Sequence, residues 1–306
     1  MPHVQDLFKA KGAADRREGR RLLRLTDQRF VWRVDEGHVD LFTVLEHAGR
    51  PAGSRHYCAT VPAGYLVFGM PAGGDGAAFW ADIPGGTVLQ KLGMDEFRRA
   101  AKAEEAAAEI AALLDPWIEG ITRGVIVDEL RFADVLVQDE GERRIRPGET
   151  ARAQAGVFWA EVPSAHTLFL GQPFPPDRPE TVAVPLSPRG WITFRGAKPR
   201  ALACRRTAAE LGRGRFLARL ESFHAFAASC ARRRIEAATE REQQRLGQMA
   251  DVDKDRMASA LDELQDVLQG ARPADAAPAS DPLLQALRQV GAPRGHAVRA
   301  PPARDV

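Results

Sequence analysis

From Phe30 onward, apolar and polar positions alternate. Val31, Arg33 and Asp35 oppose Trp32 and Val34, and Val39, Leu41 and Thr43 oppose Asp40, Phe42 and Val44. Period two marks a strand with one buried face. Glu36-Gly37 between the two runs predicts a tight hairpin, because glycine supplies the positive φ that such a turn needs. Further strands are predicted at RHYCATV, YLVFGM, AAFWADI and TVLQKL, parted by turns at Pro62, Pro71 and Pro84. Many short strands with Gly/Pro turns predict a jelly roll or barrel.

The period then lengthens. Over 94–114, Phe97, Ala101, Ile110, Leu113 and Leu114 share one helical face, and Asp115-Pro116 is read as the cap and first residue of a second helix. Strands resume at about Val125, with VIVDEL, ADVLVQ, GVFWAEV, TLFLG, TVAVPL and WITFRGA. Both β regions run through a Trp-containing strand, a Gly/Pro loop and closing strands into a helix. The order predicts a duplicated roll with Trp32 and Trp159 in equivalent positions.

From 213 to 270 the spacing is helical again. Phe216, Leu220, Phe223, Ala227 and Cys230 bury one face. The charged stretch that follows is read as solvated. Met257, Leu261, Leu264 and Leu268 then form an a/d seam, which requires a second helix, folded back from this chain or supplied by a partner. Residues 271–280 form a Pro/Ala linker, and DPLLQALRQVGA beyond it reads as one helix opening a further domain.

The expected domains are a polar leader at 1–21, a first roll with its helices at 22–120, a second roll at 121–212, a helical segment at 213–270, and a linker with a domain stub at 271–306. Arg16, Arg17, Arg20 and Arg21 make the N-terminus a solvated leader rather than a membrane-surface helix, since its apolar face is short. It contains no apolar core of a secretory signal, and no stretch is long and apolar enough to span a bilayer. Three widely separated cysteines fit ordinary buried thiols in a reducing compartment, so a cytosolic chain is expected. The formal charge of +2 favours neither nucleic acid nor an acidic ligand.

Catalytic chemistry is sought without success. The nearest approach to a phosphate-binding loop, from Gly190 to Lys198, has the wrong spacing and Pro199 where a hydroxyl belongs. The histidines include no His-x-His pair; His38 and His47 flank one strand and are read as surface or turn residues. Arg232, Arg233 and Arg234 are offset by Glu236, Glu240 and Glu242, with no aromatic platform among them. No catalytic, cofactor-binding or metal-binding residue is assigned, no cofactor is expected, and nucleic acid is excluded as a partner.

VDEGHVDLF, GYLVFGM and TVLQKLGMDEF running into a helix resemble the cyclic-nucleotide-binding fold. In that family Phe-Gly-Glu and a later arginine hold the ribose and the cyclic phosphate. Here Phe68-Gly69 is followed by Met70, and AGGDGAAFWADIP contains no arginine, so Phe68, Gly69 and Met70 mark a degenerate ligand pocket. Over the whole chain, RRLLRLTDQRFVWRVDEGHVDLFTV, GVFWAEV, WITF, REQQRLGQMADVD and DPLLQALRQVGA resemble the N-terminal region of an NHLM-type bacteriocin-system ABC transporter ATP-binding subunit. That resemblance implies a role in exporting modified ribosomal peptides that carry nitrile-hydratase-like leaders.

The expectation is therefore α+β: tandem cyclic-nucleotide-binding-like or cupin-like β-rolls with a helical C-terminal segment. The expected function is that of a non-catalytic accessory or regulatory module. Its expected partners are transporter subunits or their membrane and nucleotide-binding domains, a leader peptide, or a second copy in a homodimer through Met257, Leu261, Leu264 and Leu268. A small-ligand sensor is the alternative.

Overall fold

The computed structural model describes residues 4–16, 19–73, 76–103, 106–127, 132–175 and 178–270. The expected linker and the helix after it lie outside the described residues. The chain divides into two compact units, Met1–Gln243 and Gln244–Val306.

The first unit holds two β-rolls in tandem. The first comprises α1 (Val4–Lys11), β1 (Ala13–Arg16), β2 (Arg21–Arg24), β3 (Phe30–Glu36), β4 (His38–His47), β5 (Arg50–Pro62), β6 (Leu66–Phe68), β7 (Ala77–Ile83) and β8 (Val88–Gly93), followed by α2 (Met94–Ala100) and α3 (Ala107–Val125). Its two sheets have the strand orders β1-β8-β3-β6 and β2-β7-β4-β5.

The second roll comprises β9 (Val135–Val137), β10 (Gly141–Ile145), β11 (Thr150–Ala153), β12 (Phe158–Pro163), β13 (Thr167–Phe169), β14 (Gln172–Pro173), β15 (Thr181–Leu186), β16 (Trp191–Phe194) and β17 (Arg200–Arg206). It ends in α4 (Thr207–Gly212) and α5 (Phe216–Gly270). Its sheets run β10-β17-β12-β15 and β14-β13-β16-β11-β9. Apart from the added β9, each strand stands where its counterpart stands in the first roll. The chain is thus α+β, with tandem rolls and a long C-terminal helix.

Several local expectations need correction. The described residues of the expected leader, from Val4 onward, are built into the first roll. Val4 and Phe8 are buried, the Val4 amide donates to Glu109, and β1 and β2 pair with β8 and β7. Val4 and Phe8, with Leu7 packed beside them, dock α1 on the core.

Gly37 is not the turn of a hairpin. It has the expected positive φ of 79°, but β3 and β4 lie in different sheets, so Gly37 carries the chain from one sheet to the other. A Cβ there would sit 2.7 Å from Thr87 Oγ1, which also demands glycine. The hairpin is β4–β5, with His47 paired to Arg50.

Asp115 caps no helix: α3 runs through Pro116 to Val125, so Val125 starts no strand either. Trp32 and Trp159 occupy corresponding strands: Trp32 pairs with Lys91 of β8 and Val67 of β6, and Trp159 with Arg205 of β17 and Pro185 of β15.

One continuous core runs through both rolls and reaches Ile235 on α5. Phe216, Leu220 and Phe223 are spent in it: Phe216 packs edge-on against Trp159 at 5.3 Å, and Phe223 against Phe169 at 6.3 Å.

Candidate functional site

Phe68, Gly69 and Met70 stand where β6 ends. Phe68 is fully buried, its ring 5.7 Å from Phe97, 5.5 Å from Trp117 and 6.0 Å from His224. Gly69 lies against the backbone of the turn before β3, where a Cβ would fall 2.1 Å from the carbonyl oxygen of Asp27. The Met70 amide donates to the Leu25 carbonyl at 2.5 Å, and the Met70 side chain is buried. The three residues are core and line neither of the cavities described next.

The first cavity, about 240 Å³, lies between β4, β5 and α3. Leu41, Ala59, Val61, Leu66 and Trp117 form its walls, and Pro116 and Gly120 form its floor on α3. The spacing Pro116, Gly120, Gly124 gives α3 a face almost without side chains. A Cβ on Gly120 would meet that of Ala59 at 3.0 Å, and one on Gly124 would meet Cys58 Sγ at 2.5 Å. The helix therefore lies against β5 on backbone, and the room left beside it is apolar. Two polar side chains line this cavity, Thr60 and Tyr65, and the Thr60 hydroxyl is already bonded to Asp40 and to Tyr57. No charged group lines it. Such a cavity suits a small flat apolar group and offers nothing that would hold an anion.

The second cavity, about 260 Å³, opens between α2, α4 and the start of α5. Arg98 lines it but is bound to Glu221 at 2.6 Å and to Asp95 at 3.1 Å, which hold its pKa up; Lys102 is the other cation.

The thiols are not poised for chemistry. Burial pushes Cys58 up to about 12 and Cys204 up to about 11, and all three cysteines are buried. A thiol in that state carries little nucleophilic thiolate. Among the described residues no three His, Cys, Asp or Glu side chains converge as metal ligands, and no helix is long and apolar enough to cross a membrane. His38 lies 3.7 Å from Asp40 on the rim of β4.

Polar contacts instead join the elements. The Trp159 indole donates to Thr207 Oγ1 at 3.2 Å, and the Thr207 hydroxyl donates to Asp115 Oδ1 at 2.5 Å, tying β12 and α4 to α3. Burial raises the Asp115 pKa to about 6, with Thr207 working against it. Glu210, fully buried on α4, is held by Arg219 at 2.8 Å and Arg205 at 3.6 Å.

On the second unit, Met257, Leu261 and Leu264 are 66%, 48% and 59% exposed. Leu268 belongs to α5, but its side chain lies outside the described residues. The exposed stripe begins earlier than the expected seam, at Leu246 and Met249. Steps of three and four residues across Asp253 connect the two parts and were the available signal.

No family model matches the chain, and no curated protein matches it. Among solved structures it is similar to a mutant of CooA from Carboxydothermus hydrogenoformans, at 13% identity and a TM-score of 0.29, over 38% of this chain and 74% of that one. It is also similar to the Thermus thermophilus catabolite activator protein, at 20% identity and a TM-score of 0.27, over 39% and 55%. The regulatory domain of Toxoplasma gondii PKA, solved with cAMP, matches at 13% identity and a TM-score of 0.22, over 74% and 88%.

Proposed function

We propose that this chain is a non-catalytic regulatory or accessory module that works by association, with the rolls as a rigid platform and α5 as the contact element. The observation that carries the reading is the apolar surface of α5, with Met257, Leu261 and Leu264, and before them Leu246, Met249 and Val252, about half or more exposed among polar and charged neighbours. Each such leucine, once covered, contributes about 1.5–3 kcal/mol. The finer setting, export of modified ribosomal peptides beside an ABC transporter, draws its support from the resemblance of WRVDEGHVDLF and the segments after it. Sedimentation equilibrium across a wide concentration range, alone and with a nitrile-hydratase-like leader peptide, tests the reading. A mass above that of one chain, or a complex with the leader, supports it; a 33.4 kDa monomer that ignores the leader overturns it.

A second reading, a small-ligand sensor, is favoured by the cavity between β5 and α3. A ligand at ~100 times its dissociation constant adds about 2.7 kcal/mol of stability, which a thermal-shift panel of flat apolar compounds would reveal. A panel without shifts counts against it.

A further inference from the structure

The C-terminal part of α5 carries an apolar stripe with an unusual symmetry. Leu246, Met249, Met257, Leu261 and Leu264 are between 48% and 66% exposed, and Asp253 stands among them; Val252, 50% exposed, lies on the flank of the stripe with Arg245. From Leu246 through Met249, Asp253, Met257 and Leu261 to Leu264, the steps are three, four, four, four and three. Such steps hold one face of a helix. The series reads the same from either end.

A helix laid antiparallel on a copy of itself, centred on Asp255, therefore brings the stripe into register with the same stripe. Leu246 meets the partner's Leu264, Met249 meets the partner's Leu261, and Asp253 meets the partner's Met257. Parallel pairing also aligns the stripe, but it sets Asp253 against the partner's Asp253 inside an apolar seam, a like-charge contact.

Charge separates the two arrangements further. Arg245 and Glu263 are 18 residues apart, five turns at 3.6 residues per turn, so they lie on the same flank of the stripe. Antiparallel pairing puts Arg245 beside the partner's Glu263, and by symmetry Glu263 beside the partner's Arg245. It also sets Asp253 next to the partner's Arg256. Parallel pairing turns this flank of the two helices to opposite sides of the seam, so neither Arg245 nor Glu263 gains an opposite charge from the same flank of the partner. Flanking charges of this kind set orientation in helical pairs.

We infer that the 246–264 stripe is a self-recognition surface whose occupant is the same stripe of a second copy, run antiparallel. This rests on the association reading above and adds the partner and its direction.

Disulfide trapping in the full chain tests it. Cys58, Cys204 and Cys230 are buried, so the native chain presents no competing surface thiol. Leu246→Cys and Leu264→Cys sit on an exposed face and leave the rolls intact. The inference predicts that mild oxidation links an equimolar mixture of the two variants several-fold more than either variant alone. Efficient self-linking of either single variant shows a parallel pair and overturns the direction while leaving association standing. A chain that sediments as a monomer and links in no combination overturns the association reading as well. A charge exchange provides an independent check. Arg245→Glu should raise the dissociation constant about three- to tenfold, the effect of two symmetry-related exposed pairs. Adding Glu263→Arg should restore it; a double variant no tighter than the single one contradicts antiparallel contact.

Discussion

The indole nitrogen of Trp117 donates a hydrogen bond to Nε2 of His224 across 2.9 Å, deep between α3 and α5. That bond leaves Nε2 as the acceptor and the ring proton on Nδ1. Complete burial beside Phe68, Phe223 and Trp117 lowers the His224 pKa from 6.5 to about 3, because an imidazolium there would lose its water. The helix that bears the exposed stripe is thereby fastened at its base to the first roll.

Three groups bear on stability between pH 6.5 and 3.8: His224, Asp115 and, acting in the same direction as His224, His56, whose pKa burial also lowers. The unfolded chain takes up a proton on His224 below 6.5 while the folded state refuses it down to about 3, so this residue makes stability fall as pH falls across that window. Asp115 acts in the opposite direction. Its folded carboxyl holds a proton up to about 6 while the unfolded one, at 3.8, has lost it, so stability rises as pH falls from 6 to 3.8. Asp115 offsets the histidines across that range. In Asp115→Asn the offset is gone, and the urea midpoint should drop as pH falls below about 6, by up to ~1.4 kcal/mol per pH unit from His224 alone. Matching pH profiles for variant and wild type would contradict this.

Thr207 is the middle of a relay from Trp159 to Asp115. Thr207→Val keeps the shape but leaves a buried indole N–H and a carboxylate short of a partner, at a cost of about 1–3 kcal/mol. Thr207→Ser should recover most of it. Chemical denaturation would measure both, and a stable valine variant would deny the relay a structural role.

Gly124 lies against Cys58, and an added Cβ would approach Cys58 Cβ to 2.6 Å. Gly124→Ala should therefore lose about 1–3 kcal/mol through overpacking, despite the better helix propensity of alanine. Cys58→Ala in the same chain makes room and should restore part of the loss. If Gly124→Ala is stabilising on its own, α3 does not lie on β5 as described.

Cyclic AMP should not bind at micromolar concentration. The loop from β6 to β7 contains no arginine or lysine, and Phe68 and Met70 at its start are buried in the core. A buried phosphodiester would lose a charge-assisted hydrogen bond of about 1.5–3 kcal/mol and its hydration besides. Calorimetry is the measurement, and micromolar heats of binding would contradict the expectation.

What was legible in the chain, and what was not, divides along physical lines. Thr181–Leu186 and Ala77–Ile83 announce themselves because β-branched or aromatic residues gather in short apolar runs between turns. β10 and β17 do not. Glu142 and Arg144 face outward on β10 and Ala201, Ala203 and Arg205 on β17, a weak alternation, and only Leu202 and Cys204 mark the buried face of β17. Gly37 signals a bend, but whether the chain pairs back or crosses to another sheet depends on distant strands. The cavity beside α3 was hidden for a related reason, since it is made by side chains that Gly120 lacks and by β5 residues far away in sequence. The stripe on α5 was visible from Met257 onward, while Asp253 concealed its extension to Leu246.

Sedimentation of the full chain beside the Leu261→Asp, Leu264→Asp double variant tests association through α5 most directly. The wild type should run as a dimer, and the variant as a folded monomer whose rolls melt at the wild-type temperature. A variant that keeps the wild-type mass yet loses stability, or a wild type that is already monomeric, would contradict it.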